Sequence, residues 1–348
     1  MTKDNSGLRD RMVTIGDIAE RAGVVPSTVS RALSNPERVN VKTREKIQQI
    51  AAELGYIPST LARNLRMGST GTIAVLVPDV SSPVSFQIVR GTQNEIKAKG
   101  FTQVLINTEQ AEDFELDVLK KLRRSADGAI LGSSSLTDDQ LAQLAGLQPL
   151  VTINRPTPGV STVLIDTVAA MTDAVSHLAD FGHRSLVYVS GPASSWSNQQ
   201  RWRAIKAAAR NRGIKAVKIG PYPGDKKSGA AAADEALTHG ATSVIAFNDM
   251  LAIGILQRLG ELGVSVPSEI SIVGCDDVMG ADFCNPPLTT ISSPIEQAGQ
   301  MAVTMLLDRL GSASLALKPY TATLPSELVI RASTGQAPQS PAKPAADL

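Results

Sequence analysis

From Thr72 to about Arg331 the chain alternates short apolar runs with helix-like stretches, and this constrains its fold more than any other feature. Runs such as IAVLV and SVIAF are apolar at every position, not at every second one. A strand is built that way when both its faces are buried, as in a parallel sheet covered by helices. The pattern predicts strands at Thr72–Pro78, Thr102–Asn107, Asp127–Leu131, Pro149–Ile153, Val163–Ile165, Ser185–Ser190, Val217–Ile219, Ser243–Phe247 and Ser271–Gly274. Helical stretches include Phe86–Lys99, Glu112–Arg124, Val168–Phe181, Gln199–Arg212 and Asp249–Leu262. Nine or more strands over roughly 260 residues fit two doubly wound parallel-sheet subdomains better than one. Such sheets take ligands beyond the carboxyl ends of their strands, so a cleft between the two is the expected site.

The amino-terminal segment has a different texture: short helices and no strand pattern. Thr14 is placed as an N-cap, with Asp17 as a capping-box partner and Val13 and Ile18 as a hydrophobic staple. The first helix runs to Ala22, and Gly23 turns the chain. Pro26 suits the first position of a second helix, Pro26–Leu33. Val29 and Leu33 face one way there, leaving Ser27, Thr28, Ser30 and Arg31 on the open side. A third helix starts at Asn40, carries Ile47, Ile50, Ala51 and Leu54 at helical spacing, and ends at Gly55. This is a helix-turn-helix with a supporting helix. Spacing alone allows a reader of the DNA major groove or a small bundle with an ordinary solvated face.

Composition sorts these readings. The 348 residues carry 34 Lys and Arg against 33 Asp and Glu, and 43% are hydrophobic, which fits globular domains and excludes a disordered or uniformly basic chain. The balance is a sum of opposites. Met1 to Thr70 holds 11 basic against 7 acidic residues, a net +4, and the remainder holds 23 against 26, a net −3. The start of the chain has no apolar core of a signal peptide, and no segment is apolar for about 18 residues, so a cytoplasmic, nucleoid-associated protein without membrane contact is expected. Cys275 and Cys284 form no CxxC pair and are expected as free thiols. Motifs for phosphate loops, dinucleotide binding, zinc proteases and serine hydrolases are missing, and His177, His183 and His239 lack ligand spacing. The expectation is no enzyme, no metal and no cofactor.

The run VTIGDIAERAGVVPSTVSRALSN, followed by RVNVKTREKIQQIAAELGYIPSTLARNLR, resembles the DNA-binding domain and hinge of the lactose-repressor (LacI/GalR) family of bacterial transcription regulators. The pieces T-V-S-R, T-R-E-K-I, L-G-Y-x-P and A-R-x-L carry the resemblance. One departure is Val25, where the family usually has a capping Ser or Thr. The resemblance implies that Pro26, Ser27 and Arg31 face bases, with Arg31 suited to guanine O6 and N7. It places Thr14, Thr28, Ser30, Asn40 and Thr43 as phosphate contacts or caps. The connector from Ser59 to Arg66 is by itself a flexible linker or a marginal two-turn helix. The resemblance makes it a hinge helix formed on the operator, with Leu65 wedged into the minor groove and Arg63 and Arg66 on phosphates.

Beyond Thr72, the pieces VPDVSSP, F-G-H-R, S-G-P, A-F-N-D-M-L-A-I-G, V-P-S-E-I-S-I-V-G-C-D-D and P-P-L-T-T-I are similar to the type I periplasmic-binding-protein fold of the same regulators. The resemblance implies a homodimer on a pseudo-palindromic double-stranded operator and a small effector such as a sugar, a polyol or a phosphorylated derivative. Subdomain crossovers are expected near residues 164, 290 and 320. Effector contacts fall on Ser85, Trp196, Arg201, Asn248 and Asp276. Each has an alternative: Trp196 packing, Asn248 and Asp249 helix caps, Arg201 and Asp276 a structural ion pair. Asp277 is read as structural. Relatives often carry rings near Ser85 and at Cys275, so the pocket here is expected to differ from theirs. The expected domains are a helix-turn-helix head at 1–57, a hinge at 58–71, a two-lobed ligand-binding and dimerisation domain at 72–331 and a disordered tail at 332–348. A plain solute-binding protein, an activator of the same family and a carbohydrate enzyme on the same layout are the competing readings.

Overall fold

The computed structural model describes residues 13–56, 69–311 and 318–339. They fall into two compact units divided between Gly68 and Ser69.

The first unit is helical. Helices α1 (Ile15–Ala22), α2 (Pro26–Ser34) and α3 (Val41–Glu53), with a 3-10 turn at Pro36–Arg38, enclose Ile18, Ala19, Ala22, Val29, Ala32, Ile47, Ile50 and Ala51. Each begins and ends where local chemistry dictates. The Thr14 hydroxyl accepts the Asp17 N–H, and the Asp17 carboxylate accepts the Thr14 N–H at 2.7 Å, closing a capping box. Gly23 and Gly55 take the left-handed conformation (φ 71° and 63°) that turns the chain out of α1 and α3. Lys46 Nζ donates to the last-turn carbonyl of Ala22 at 2.9 Å, tying α3 to the end of α1. Val25 gives α2 no side-chain cap.

The second unit holds two parallel sheets among the described residues. Strands β1 (Thr72–Val77), β2 (Thr102–Asn107), β3 (Gly128–Gly132), β4 (Leu150–Ile153), β5 (Ser161–Asp166) and β11 (Thr321–Pro325) form one, in the order β11-β5-β4-β3-β1-β2. Strands β6 (Ser185–Val189), β7 (Lys215–Ile219), β8 (Ser243–Ala246) and β9 (Ser271–Val273) form the other, in the order β7-β6-β8-β9. A short antiparallel pair, β10 (Thr290–Ser292) and β12 (Glu327–Val329), lies beside the second. Helices α4 (Pro83–Ala98), α5 (Glu112–Leu122), α6 (Asp138–Ala145) and α11 (Ile295–Gly311) belong to the first sheet, and α7 (Val168–Asp180), α8 (Trp196–Asn211), α9 (Gly229–Thr238) and α10 (Asp249–Glu261) to the second. Both faces of each sheet bury aliphatic cores, as the apolar runs require. The architecture is a helix-turn-helix unit plus a second unit of two parallel-sheet subdomains.

The chain crosses between subdomains at residues 166–168, 292–295 and 325–327. The third crossing comes later than expected because β11, unpredicted, first completes the edge of the first sheet. Its sequence TATLP is short, mixed and half-exposed, so it carries no run of buried residues. Strand β12 is likewise short and half-exposed, and β10, though buried, is only three residues long.

The carboxy-terminal segment departs from expectation more sharply. Residues 332–339 are packed, not disordered. Ser333 is fully buried and donates to the Ile272 carbonyl at 2.6 Å, while the Ala337 N–H donates to the Phe181 carbonyl at 2.8 Å. Buried His183 lies 3.0 Å from both the Thr242 and Ser271 hydroxyls and 3.2 Å from the Gly335 carbonyl. Small hydroxylated residues suggested low complexity, yet here their hydroxyls satisfy the sheet edge.

Candidate nucleic-acid interface and ligand cleft

Helix α2 presents a short polar face. Pro26, Ser27 and Arg31 are exposed, Thr28 and Ser30 are half-exposed, and Val29 and Ala32 anchor the opposite side in the core. This face is built from small side chains and one guanidinium, so a groove wall can approach the helix closely. The other candidate contacts divide by their local duties. Thr14 is held in its capping box, and Asn40 caps α3 by accepting the Lys42 N–H at 3.1 Å. Thr43 is half-exposed on the first turn of α3. Arg63, Leu65 and Arg66 lie outside the described residues.

In the second unit, non-glycine residues with positive φ mark the strand ends. Ser133 (φ 53°), Asn154 (φ 55°) and Asp276 (φ 107°) follow β3, β4 and β9 directly or within a few residues. Such conformations cost of order 1–3 kcal/mol each and cluster where a site requires them. The Asn154 side-chain oxygen accepts the Ile165 N–H at 2.9 Å, so it pins the crossover side of β5. Ser133 leads into a loop held by Glu115, whose buried carboxylate accepts from the Ser134 and Ser135 hydroxyls at 2.5 and 2.8 Å.

Arg201 and Asp276 meet in a buried ion pair, the structural alternative that the sequence left open beside a ligand contact. The Arg201 Nη2 donates to Asp276 Oδ1 at 3.1 Å, its Nη1 donates to the Phe247 carbonyl, and its Cζ lies 5.0 Å from the Phe247 ring centroid. Burial raises the Asp276 carboxyl from its ordinary value, and Arg201 opposes that shift. Two polar atoms here are buried without a hydrogen-bond partner among the described residues: Arg201 Nε and Ser293 Oγ, the latter next to Ser292, which bridges to Asp276. Buried donors and acceptors are rarely left vacant, so these are places for a polar ligand or water.

The remaining candidates are less open. Asn248 caps α10 by accepting the Leu251 N–H at 3.0 Å and donates to the Gly224 carbonyl at 2.8 Å, so much of its amide is committed. Asp249 is fully buried between Thr290 and the Val278 N–H, and burial first, then Asp276, pushes its carboxyl up to about 7. Asp277 pairs with Arg331 at 2.7 Å. Ser85 is buried in the first turn of α4, and Trp196 is half-buried at the start of α8. Cys275, where relatives often carry a ring, is fully buried and packs into the core with Tyr188, Ile205 and Val273. Both cysteines are free.

Sequence reasoning missed Asn198. Its side-chain oxygen accepts the Tyr188 hydroxyl at 2.8 Å and the Gly191 N–H at 3.1 Å, so it shapes the loop before Trp196. It also missed Phe247 as the ring beneath Arg201. A polar residue in the first turn of a helix and a Phe ending an apolar run gave no distinguishing signal.

Residues 14–59 match the model for bacterial regulatory proteins of the lacI family, and residues 175–334 match that for a periplasmic binding protein-like domain. The chain is 31% identical over 340 residues to the HTH-type transcriptional repressor CytR of Escherichia coli strain K12, with 95% of this chain and 98% of that protein covered. The lac repressor dimer bound to operator and the anti-inducer ONPF superposes with a TM-score of 0.85 at 26% identity, over 93% of this chain and 100% of that one. A LacI family regulator from Enterococcus faecium with bound ribose superposes with a TM-score of 0.68 at 28% identity, over 76% of this chain and 98% of that one. The protein therefore belongs to the lacI family of bacterial regulatory proteins.

Proposed function

We propose that this protein is a repressor that binds a pseudo-palindromic duplex operator as a homodimer and changes its operator affinity when a small hydroxylated molecule occupies the sensor cleft. The exposed face of α2, with Pro26, Ser27 and Arg31 on a capped three-helix core, carries the DNA reading. Arg31 contacts a guanine edge, Pro26 and Ser27 contact neighbouring bases, and Thr28, Ser30 and Thr43 contact phosphates. Arg63, Leu65 and Arg66 of the connector engage the minor groove and its phosphates. Thr14 and Asn40 serve first as caps.

Arg201 and Asp276 face the effector, with Asn248, Trp196 and Ser85 lining the same cleft. A guanidinium edge, a carboxylate and vacant donors suit paired hydroxyls, and the ribose in the E. faecium neighbour is a molecule of that chemistry. Sugars, polyols and their phosphorylated derivatives form the effector class. Dimerisation is supported by the lac repressor dimer and by exposed apolar side chains on the sensor: Val104 and Leu105 on edge strand β2, and Phe86 on α4. Action on DNA places the protein in the cytoplasm. No helix among the described residues is long and apolar enough to cross a membrane.

Selection of duplexes from a random pool, followed by footprinting with and without ribose, other sugars and polyols, tests this. The expected result is two half-sites about one helical turn apart, about 34–36 Å between centres, with protection altered by one member of the panel. Turnover of a sugar without any footprint would overturn the reading. Leu65→Ala is expected to weaken operator binding and leave effector binding intact.

A further inference from the structure

Asp127 enters β3 and holds the first residues of the sensor. Its Oδ1 accepts the Thr70 N–H at 2.5 Å and the Thr70 hydroxyl at 2.9 Å, and its Oδ2 accepts the Ser69 hydroxyl at 2.6 Å and the Gly71 N–H at 2.8 Å. Four donors from three consecutive residues thus converge on one half-buried carboxylate. The main chain joins in: the Asp127 N–H donates to the Thr72 carbonyl, and the Thr102 N–H donates to the Gly71 carbonyl, each at 2.8 Å. The point where the chain arrives from the connector is therefore fastened at the amino ends of β1, β2 and β3 together.

The other end of β3 is fastened too. The strand is buried throughout and leads into Ser133, Ser134 and Ser135, with the last two held by Glu115. It spans roughly 16 Å at the usual rise of a strand. Close-packed cores transmit displacement instead of absorbing it. Asp127 and the loop at residues 133–135 are therefore the two ends of one stiff, buried strand.

We propose that Asp127 is a positioning residue that couples the loop after β3 to residues 57–68 by holding the chain fast at residues 69–71. Without its four hydrogen bonds, the chain swivels at Ser69 and the displacement is lost before it reaches the connector. This proposal rests on the regulator reading above.

The test uses the full chain and a duplex that the wild type selects from a random pool. Asp127→Ala is expected to weaken affinity for that duplex about tenfold, within the 5- to 150-fold range usual for coupling between sites, and to leave affinity for a scrambled duplex unchanged. Asp127→Asn keeps one acceptor oxygen and should fall between wild type and Asp127→Ala. Amide exchange across residues 57–68 of the operator complex should rise in Asp127→Ala. A merely structural role would raise exchange in β1 and β3 and leave the connector as it was. Ser69→Ala removes one donor, covers the case in which Asp127→Ala fails to fold, and should shift operator affinity in the same direction. Wild-type operator affinity in these variants, or equal losses on both duplexes, overturns the proposal. A wild-type chain that selects no sequence overturns the regulator reading, and this proposal with it, before any variant is compared.

Discussion

Arg201 and Asp276 form an ion pair at 3.1 Å with side chains only 6% and 9% exposed. Two charges so buried stabilise each other against a large desolvation cost, and removing one partner leaves the other uncompensated. Arg201→Met is therefore expected to destabilise the sensor by about 3–5 kcal/mol. The orphaned Asp276 carboxyl would escape by taking up a proton, so the loss should be larger at pH 8 than at pH 5. Urea denaturation at both pH values measures this. An equal loss at both would show that Asp276 is not buried as a charge.

Arg31 is exposed on α2 and contributes nothing to the core of the head. Arg31→Ala is expected to leave the melting of the protein unchanged and to cost about 1–3 kcal/mol of operator binding, with specificity relaxed at one base pair. Competition between the selected duplex and single-base variants of it is the measurement. A uniform loss across all duplexes would assign Arg31 to phosphate instead.

The head was legible because its signals are local. Thr14 and Asp17 lie three residues apart, and the apolar spacing of α3 needs no partner to be recognised. The two sheets were legible because β1 and β8 are apolar throughout, which fixes burial on both faces. The third crossover and the 332–339 segment were not, since β11 and Ser333 owe their order to partners more than 60 residues away in sequence. Arg201 and Asp276 were legible as charges at two motifs, but their pairing with each other was only one of the two roles the sequence allowed. The role of Asn248 did not separate from capping, because one side chain does both kinds of bonding. The positive φ at Ser133 is a backbone property that its residue type does not announce, whereas Asn154 is of a type that enters that region readily.

Asp249 links α10 to β10 and the loop after β9 through the Thr290 hydroxyl at 2.5 Å and the Val278 N–H at 2.9 Å. Its carboxyl is pushed from 3.8 up to about 7, chiefly by burial. A folded value above the unfolded one means that folding binds a proton between these two pH values. The stability from this site is complete below about pH 4, is lost as pH rises to about 7 and is level beyond, with a slope of at most about 1.4 kcal/mol per pH unit. His177 and His183, both lowered by burial, act oppositely: their stability is present above 6.5 and lost as pH falls. Comparing wild type with Asp249→Asn cancels the histidines. From pH 5 to 7 the difference between them is expected to shift steadily against wild type, then level off. Parallel profiles would show that Asp249 titrates in the ordinary range.

Gly91 on α4 and Gly299 on α11 let two helices of the first subdomain meet backbone to backbone. A Cβ at Gly91 would stand 2.1 Å from the Glu296 carbonyl oxygen, and one at Gly299 would stand 2.7 Å from that of Ile88. Neither obstacle is a side chain that can swing away. Alanine usually favours a helix over glycine by about 1 kcal/mol. Here the clash should reverse that preference, because overpacking a close contact costs about 1–3 kcal/mol and the helices must part to admit the methyl. Gly91→Ala is therefore expected to lower the denaturation midpoint of the sensor. Gly260→Ala, at a helical position where a Cβ meets nothing within 4 Å, should hold or raise it. If Gly91→Ala were as stable as Gly260→Ala, the close approach of α4 and α11 would not be a determinant of stability.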